Sequence, residues 1–172
     1  MSRRSPAGTD GVDVSTDDSG LTRELAPLPR RAGSKATRRM LSLITAAGLG
    51  VDAYVHWQLA PGFDTLTGAA SPHISQGQLF RLEAVLAVIA ILVVLLLTRN
   101  RLGALVAFLI SAGGLGAVLV YAFIDVGGFG PLPDMYDPIW YTEKTISAVA
   151  EAVAAVGALC LLFMSGVRGR PA

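Results

Sequence analysis

The chain has 172 residues, of which 52% are hydrophobic and 16% are charged, and its formal net charge is +1. Soluble domains carry about 25% charged residues, so this composition indicates a membrane protein. The nearly neutral charge provides no basic field that would attract a nucleic acid. Cys160 is the single cysteine, which excludes a disulfide within the chain and a zinc site built from several thiolates. The length suits one domain.

The N-terminal segment, residues 1–38, is predicted to be a disordered tail. Residues 1–28 are rich in Ser, Thr, Asp, Gly and Pro and contain few large apolar side chains. Such a segment cannot bury enough apolar surface to offset the entropy that ordering costs. A basic block that ends with Arg38 and Arg39 separates the tail from the first apolar run.

Four apolar runs follow the tail, and each is close to the ~20 residues that a helix needs to cross about 30 Å of hydrocarbon. Backbone polar groups in lipid must be satisfied within their own segment, so we expect all four runs to be helices. The predicted fold class is all-α: an integral membrane four-helix bundle formed by residues 39–166. The runs cover about residues 40–60, 79–97, 102–124 and 141–164, and a short C-terminal end, residues 167–172, follows them.

The distribution of basic residues predicts the orientation of this bundle. Arg and Lys residues precede the first run, lie in the short loop between the second and third runs, and follow the fourth run. The other two connections, about residues 61–78 and 125–140, contain acidic residues but neither Lys nor Arg. The positive-inside rule then places both termini in the cytoplasm and these two loops outside. The basic residues are mostly Arg, since Lys35 and Lys144 are the only lysines, and Ala, Val and Gly are abundant. This composition is typical of a GC-rich bacterial genome, so we expect a bacterial inner membrane protein.

Polar residues inside the runs concentrate in the outer halves, where they form a candidate site. If the helices pack together, these side chains converge on an outward-facing polar pocket. Glu151 lies deepest, about ten residues or ~15 Å into the fourth run. A charged side chain at the bilayer centre costs roughly 2.5–3.5 kcal/mol, so Glu151 should face the bundle and not lipid. The candidate pocket consists of Asp52, His56, Arg81, Glu83, Asp125 and Glu151.

Asp52 and His56 are four residues apart and therefore share one face of the first helix. A carboxylate and an imidazole at this spacing could bind a metal or relay protons. A structural polar pair is favoured, because a zinc site needs three or four protein ligands and His73 is the only other histidine. Neither a metal nor a cofactor is predicted. For Glu151, a proton or cation site and a buried interhelical hydrogen bond both stay open.

Small residues on the third and fourth runs predict a close pair of helices, since they let two backbones approach in lipid. The same pattern could also mediate dimerisation. The Gly- and Pro-rich stretch that precedes the fourth run is predicted to be a connector, with an ordered cap over the pocket as the alternative. The small residues are Gly103, Ala107 and Ser111 on the third run, and Ala150, Ala154 and Ala158 on the fourth.

Two segments of the chain carry a resemblance to a known family. The segment from Asp52 to His56 and the segment from Pro131 to Tyr136, together with the helix count and the polar residues near the outer helix ends, resemble the DoxX-like group of small bacterial four-helix membrane proteins. The resemblance covers about residues 40–165. It implies a four-helix membrane fold, but no established activity and no functional residue carries over.

Three classes of function follow from these features. We predict a non-catalytic accessory or interaction protein and not an enzyme. Its surroundings would be the lipid bilayer, its partner a second copy of the chain or another membrane protein, and nucleic acid is not expected. The first alternative is a small transporter or proton/cation-coupled carrier that uses the polar pocket. The second alternative is a membrane redox or metal enzyme.

Overall fold

The computed structural model describes residues 33–68, 71–97, 100–128, 130 and 132–166. Residues 1–32 of the predicted tail and the C-terminal end, residues 167–172, lie outside this part of the chain. The disordered state of the tail therefore stays a prediction. The described elements are α1 (Gly33–Leu59), a 3-10 turn (Ala60–Phe63), β1 (Thr67–Gly68), β2 (Ser71–Ser75), α2 (Gln76–Leu96), α3 (Arg101–Phe123) and α4 (Thr142–Gly166).

The chain is mostly helical, as predicted, and its four long helices follow the four apolar runs. Two elements differ from the prediction. Helix α1 begins at Gly33 and not near Met40, so residues 33–38 are helical and not part of the tail. A short antiparallel hairpin of β1 and β2, in which Thr67 lies opposite Ser75, corrects the expectation of a purely helical fold.

Side-chain caps define where α2 and α3 begin. The hydroxyl of Ser75 accepts a hydrogen bond from the backbone N–H of Gln78 at 3.1 Å, while the Gln78 side chain accepts one from the backbone N–H of Ser75. This reciprocal capping box satisfies two backbone donors that the first helical turn leaves unpaired. Asn100 caps the start of α3 with a single hydrogen bond, because its Oδ1 accepts from the backbone N–H of Leu102 at 3.1 Å.

Each helix packs against two others, in the order α1–α2–α3–α4 and back to α1. The small residues explain how closely they approach, and α3 packs against α4 as predicted, although the small residues also serve other pairs of helices. A Cβ built on Gly103 would lie 3.0 Å from the carbonyl oxygen of Val93, so this glycine serves the contact between α3 and α2. Ala150 and Ala154 lie against Gly48 of α1. The small residues thus join several pairs of helices, and the alanines of α4 are not reserved for α3.

Polarity is distributed in the opposite way to that of a water-soluble protein. Asp52 and Glu151 are fully buried, whereas large apolar side chains such as Leu92 of α2 are 53% exposed. Among the described residues, three helices are long and apolar enough to cross a membrane: Gln76–Leu96, Arg101–Phe123 and Thr142–Ser165. Helix α1, with 27 residues, is long enough, but it is not among the three, and it carries Asp52 and His56 within its apolar stretch.

Candidate functional site

Three carboxylates from three different helices meet inside the protein. Asp52 of α1, Glu83 of α2 and Glu151 of α4 each contribute an oxygen, and these oxygens all lie within 4.8 Å of one another. Asp52 and Glu151 are fully buried, and Glu83 is half-buried. Glu151 lies about 14 Å along α4 from its first residue, at 1.5 Å per residue. We call these three residues the carboxylate cluster.

Two neighbours hold the Asp52 side chain in place. Its Oδ1 accepts a hydrogen bond from the hydroxyl of Ser147 at 2.5 Å and lies 2.9 Å from Nδ1 of His56. The backbone carbonyl oxygen of Asp52 lies 3.2 Å from the same nitrogen and can only accept, so Nδ1 of His56 carries the proton. The imidazole ring itself packs edge-on against Phe80, with 5.3 Å between ring centroids. Oδ1 of Asp52 is therefore fixed by two neighbours, whereas Oδ2 takes part in neither contact.

Four oxygens of the cluster lack a hydrogen-bond partner in the described part of the chain: Oδ2 of Asp52, Oε1 of Glu83 and both oxygens of Glu151. A buried polar atom without a partner costs about 1–3 kcal/mol, and a charged one costs more. Buried ionised groups are normally paired with a counter-charge or coordinate a metal. The arrangement is therefore suited to an occupant that these oxygens can bind.

Helix α3 faces the cluster with a glycine. A Cβ built on Gly114 would overlap Oε1 of Glu151 and would lie 3.2 Å from Oε1 of Glu83. The missing side chain leaves the space that the two carboxylates use. Gly114 therefore completes the site from α3, the helix that contributes no carboxylate to it.

A cavity of about 180 Å³ lies near one end of the helices and touches the cluster at Glu83, whereas Asp52 and Glu151 are not among its lining residues. His56, Glu83 and Ser147 lie on its wall near the cluster, and Tyr121 and Tyr141 lie toward the helix ends. Beyond the cluster, in the opposite direction, the interior is mainly an apolar core, with the buried hydroxyls of Ser42 and Thr45 beside it. That core contains Leu49, Val94 and Leu161, each at most 2% exposed.

The segment that precedes α4 covers this cavity. The side-chain amide of Gln76 donates to the carbonyl of Asp134 at 2.6 Å, and the backbone N–H of Asp137 donates to the carbonyl of Tyr121 at 3.0 Å. Lys144, which is buried, donates to the carbonyl of Asp137 and forms an ion pair with its carboxylate at 3.4 Å. Met135 and Asp137 line the cavity. The segment is thus an ordered cap, which the sequence left as the alternative to a plain connector.

Two predicted pocket residues lie elsewhere. Arg81 turns away from the cluster and forms two hydrogen bonds with the carboxylate of Asp64, at 2.6 and 2.8 Å. The guanidinium lowers the pKa of Asp64 below its ordinary value through these hydrogen bonds. Asp125 is exposed, and its Oδ1 accepts from the backbone N–H of Gly127 at 3.2 Å. Arg81 therefore holds the loop that contains Asp64, and Asp125 forms part of the turn at Gly127. Neither side chain belongs to the cluster, because each is paired outside it.

Sequence reasoning missed Ser147 and Gly114 as parts of the site. Ser147 is four residues before Glu151, so helical spacing was a usable signal that it shares the cluster face. Gly114 is one of several glycines in α3, and nothing local distinguishes it from its neighbour Gly113.

Comparisons with known proteins assign no family. No family model matches the chain, and neither a curated protein nor a solved structure matches it. The resemblance to the DoxX-like group therefore stays a prediction, and the chemistry of the site rests on its own geometry.

Proposed function

We propose that the chain is an integral membrane protein of the bacterial inner membrane with four spanning helices and both termini in the cytoplasm, and that it is a small transporter that carries a cation. In this proposal a cation enters from the external side and binds at the carboxylate cluster. The observation that carries it is the set of buried, unpartnered oxygens on Asp52, Glu83 and Glu151, of which Glu83 also lines the cavity.

The outer surface of the helices supports insertion of all four of them. Large apolar side chains are exposed along α1 as well as α2, for example Leu43 at 61% and Val51 at 43%. In water such a surface would be unfavourable by about 25 cal/mol for each Å² of apolar area. In lipid it is the expected one, and the buried face of α1 shields Asp52 from lipid.

The basic residues support the orientation. The short connection between α2 and α3 contains Arg99 and Arg101, whereas residues 61–78 and 125–140 contain neither Lys nor Arg. The cavity lies at the end of the helices to which these two acidic connections belong. The cluster is then reached from the external side, and the apolar core separates it from the cytoplasm.

Reporter fusions test this topology. We expect a reporter fused after Arg101, or at the C-terminus, to be active only as a cytoplasmic marker. A reporter inserted in residues 65–75 or 127–136 should be active only as an external marker, because those loops lack positive charge. A cytoplasmic signal from either loop would contradict the orientation and would place the cavity on the wrong side.

The charge of the cluster favours a cation over other occupants. Three carboxylates within 4.8 Å repel one another when ionised, and each lies where water cannot fully screen the repulsion. The nearby basic side chains are engaged elsewhere, Arg81 with Asp64 and Lys144 with Asp137. A bound cation would relieve the repulsion and give the free oxygens a partner.

The other two classes of function stay predictions. An accessory or interaction role needs a docking surface for a partner, and a redox or metal enzyme needs a substrate beside the cluster. Neither explains why a cavity capped by residues 132–138 should touch a cluster of free carboxylates inside the helices. Uptake of a cation accounts for both the cavity and the cluster.

The substitution Glu151→Gln tests the proposal. The purified full chain is reconstituted in liposomes, and uptake of Na⁺, K⁺, Ca²⁺ and Mn²⁺ is followed with trapped indicators. We expect uptake of a cation by the native protein and its loss in Glu151→Gln, because the amide keeps the size of the side chain but removes a negative oxygen. Size-exclusion chromatography of both proteins checks that they are folded.

Glu143→Gln is the matched control. Glu143 lies in the first turn of the same helix and is exposed, so the same chemical change is made away from the cluster. It should leave uptake unchanged. The proposal fails if native protein moves none of these cations, or if Glu151→Gln moves them at the native rate.

A further inference from the structure

We propose that the cation is a hard divalent ion, of the Ca²⁺ or Mn²⁺ type, bound by oxygens of Asp52, Glu83 and Glu151. This assignment rests on the proposed function, since it takes the cluster to be occupied by a cation. It adds the chemical class of the ion, the residues that ligate it and the residues that hold those ligands in position.

The spacing of the carboxylates fits an ion of this size. Oxygen ligands lie about 2.3–2.6 Å from Ca²⁺, so two ligands on opposite sides of the ion are separated by about 4.6–5.2 Å. The oxygens of the cluster lie within 4.8 Å of one another, which is close enough for all three to contact one such ion. Mg²⁺ demands a strict octahedron and usually keeps several of its waters, so a site made of protein carboxylates suits it less well.

Among the described residues, the donor atoms that come together within 4.8 Å of one another belong to three carboxylates and include no imidazole nitrogen or thiolate. Nδ1 of His56 is taken up by Asp52, and Cys160 is exposed on α4, away from the cluster. Carboxylate ligands suit Ca²⁺, Mg²⁺ and Mn²⁺, whereas zinc and copper sites favour imidazole or thiolate. The donor set therefore points to a hard ion.

Glu151 provides a second and separate reason to expect a ligand. Its side chain is 0% exposed, and neither of its oxygens has a hydrogen-bond partner among the described residues. A structural role would have paired it with a donor, as Ser147 pairs with Asp52. Its Oε1 instead occupies the space that Gly114 leaves. Both oxygens are without a hydrogen-bond partner, so Glu151 can offer either of them to the ion.

Ser147 and His56 are positioning residues in this site. They bind Oδ1 of Asp52, leave Oδ2 free, and so fix the orientation of a carboxylate that belongs to the cluster. Partners of this kind fix the orientation of a ligand, and their removal typically weakens metal affinity about 10–100-fold. Ser147→Ala removes the hydroxyl without changing any charge of the cluster.

The test uses Mn²⁺ as the probe, because its electron paramagnetic resonance signal separates free from bound ion. The full chain, solubilised in detergent and washed with a chelator, is titrated with Mn²⁺ and then with Ca²⁺. We expect saturable binding of Mn²⁺ that Ca²⁺ displaces. Binding should be lost in Glu151→Gln, weakened about 10–100-fold in Ser147→Ala, and unchanged in Glu143→Gln.

The other possible outcomes test the divalent-ion assignment and the proposed transport separately. Mn²⁺ affinity that stays at the native value in both Glu151→Gln and Ser147→Ala would overturn the assignment. Uptake of a monovalent cation that requires Glu151, without binding of Mn²⁺ or Ca²⁺, would also overturn it but would leave the carrier standing. Divalent binding that requires the cluster, without uptake into liposomes, would support the assignment and overturn the carrier. If Glu151→Gln does not fold, the shift in Ser147→Ala still decides.

Discussion

Gly48→Ala should destabilise the protein, although it adds a single methyl group. A Cβ at this position would lie 2.6 Å from the backbone carbonyl oxygen of Ala150 and 3.1 Å from Cβ of Ala154. The oxygen belongs to the backbone and cannot rotate away, so α1 and α4 must separate. Overpacking of this kind costs about 1–3 kcal/mol. We expect a lower midpoint of thermal unfolding in detergent and lower cation uptake, because Asp52 and Glu151 lie one turn or less from the contact.

Gly50→Ala is the control, since it makes the same change two residues further along α1. Its Cβ would meet only Cδ1 of Ile91, at 3.9 Å, which is an ordinary contact. Alanine is a better helix former than glycine by about 1 kcal/mol, so this variant should be as stable as the native protein or more stable. Equal unfolding midpoints for the two variants would show that α1 and α4 do not approach as closely as described.

The positions of the helices could be predicted from the sequence because hydropathy alone decides them. A run of about 20 apolar residues has one stable form in lipid, and α2, α3 and α4 follow the predicted runs closely. The start of α2 was also encoded locally, in Ser75 and Gln78 three residues apart, but hydropathy placed it later. The early start of α1 at Gly33 was missed because Lys35 and Arg38 are polar, and a helix can continue beyond the apolar stretch.

The candidate site was only partly predictable, for a different physical reason. Buried carboxylates are expensive in lipid, so Asp52, Glu83 and Glu151 were expected to face the interior, where the structure brings them together. Arg81 and Asp125 are also charged residues near the outer ends of the apolar runs, so the sequence placed them in the same pocket. Their positions depend on loop contacts, the Arg81 pair with Asp64 being 17 residues apart in the chain. Hydropathy contains no information on such pairings.

Gly114→Ala should abolish cation uptake while leaving the protein folded. A Cβ on Gly114 would overlap Oε1 of Glu151. That atom is the far end of a flexible side chain, so the carboxylate can rotate aside with little cost to packing. Alanine also favours the helical form by about 1 kcal/mol, and the unfolding midpoint should not fall.

A variant of the neighbouring glycine distinguishes an effect on the site from an effect on the helix. Gly113→Ala adds the same methyl group where nothing lies within 4 Å, so it should keep native uptake and native or higher stability. Liposome uptake and thermal unfolding, measured on both variants, give the comparison. Displacement of the Glu151 carboxylate breaks the arrangement that holds the cluster oxygens within 4.8 Å of one another, which is why a stable Gly114→Ala protein should no longer carry a cation. Native uptake by that variant would mean that the position of this carboxylate, and hence the cluster, has no part in transport.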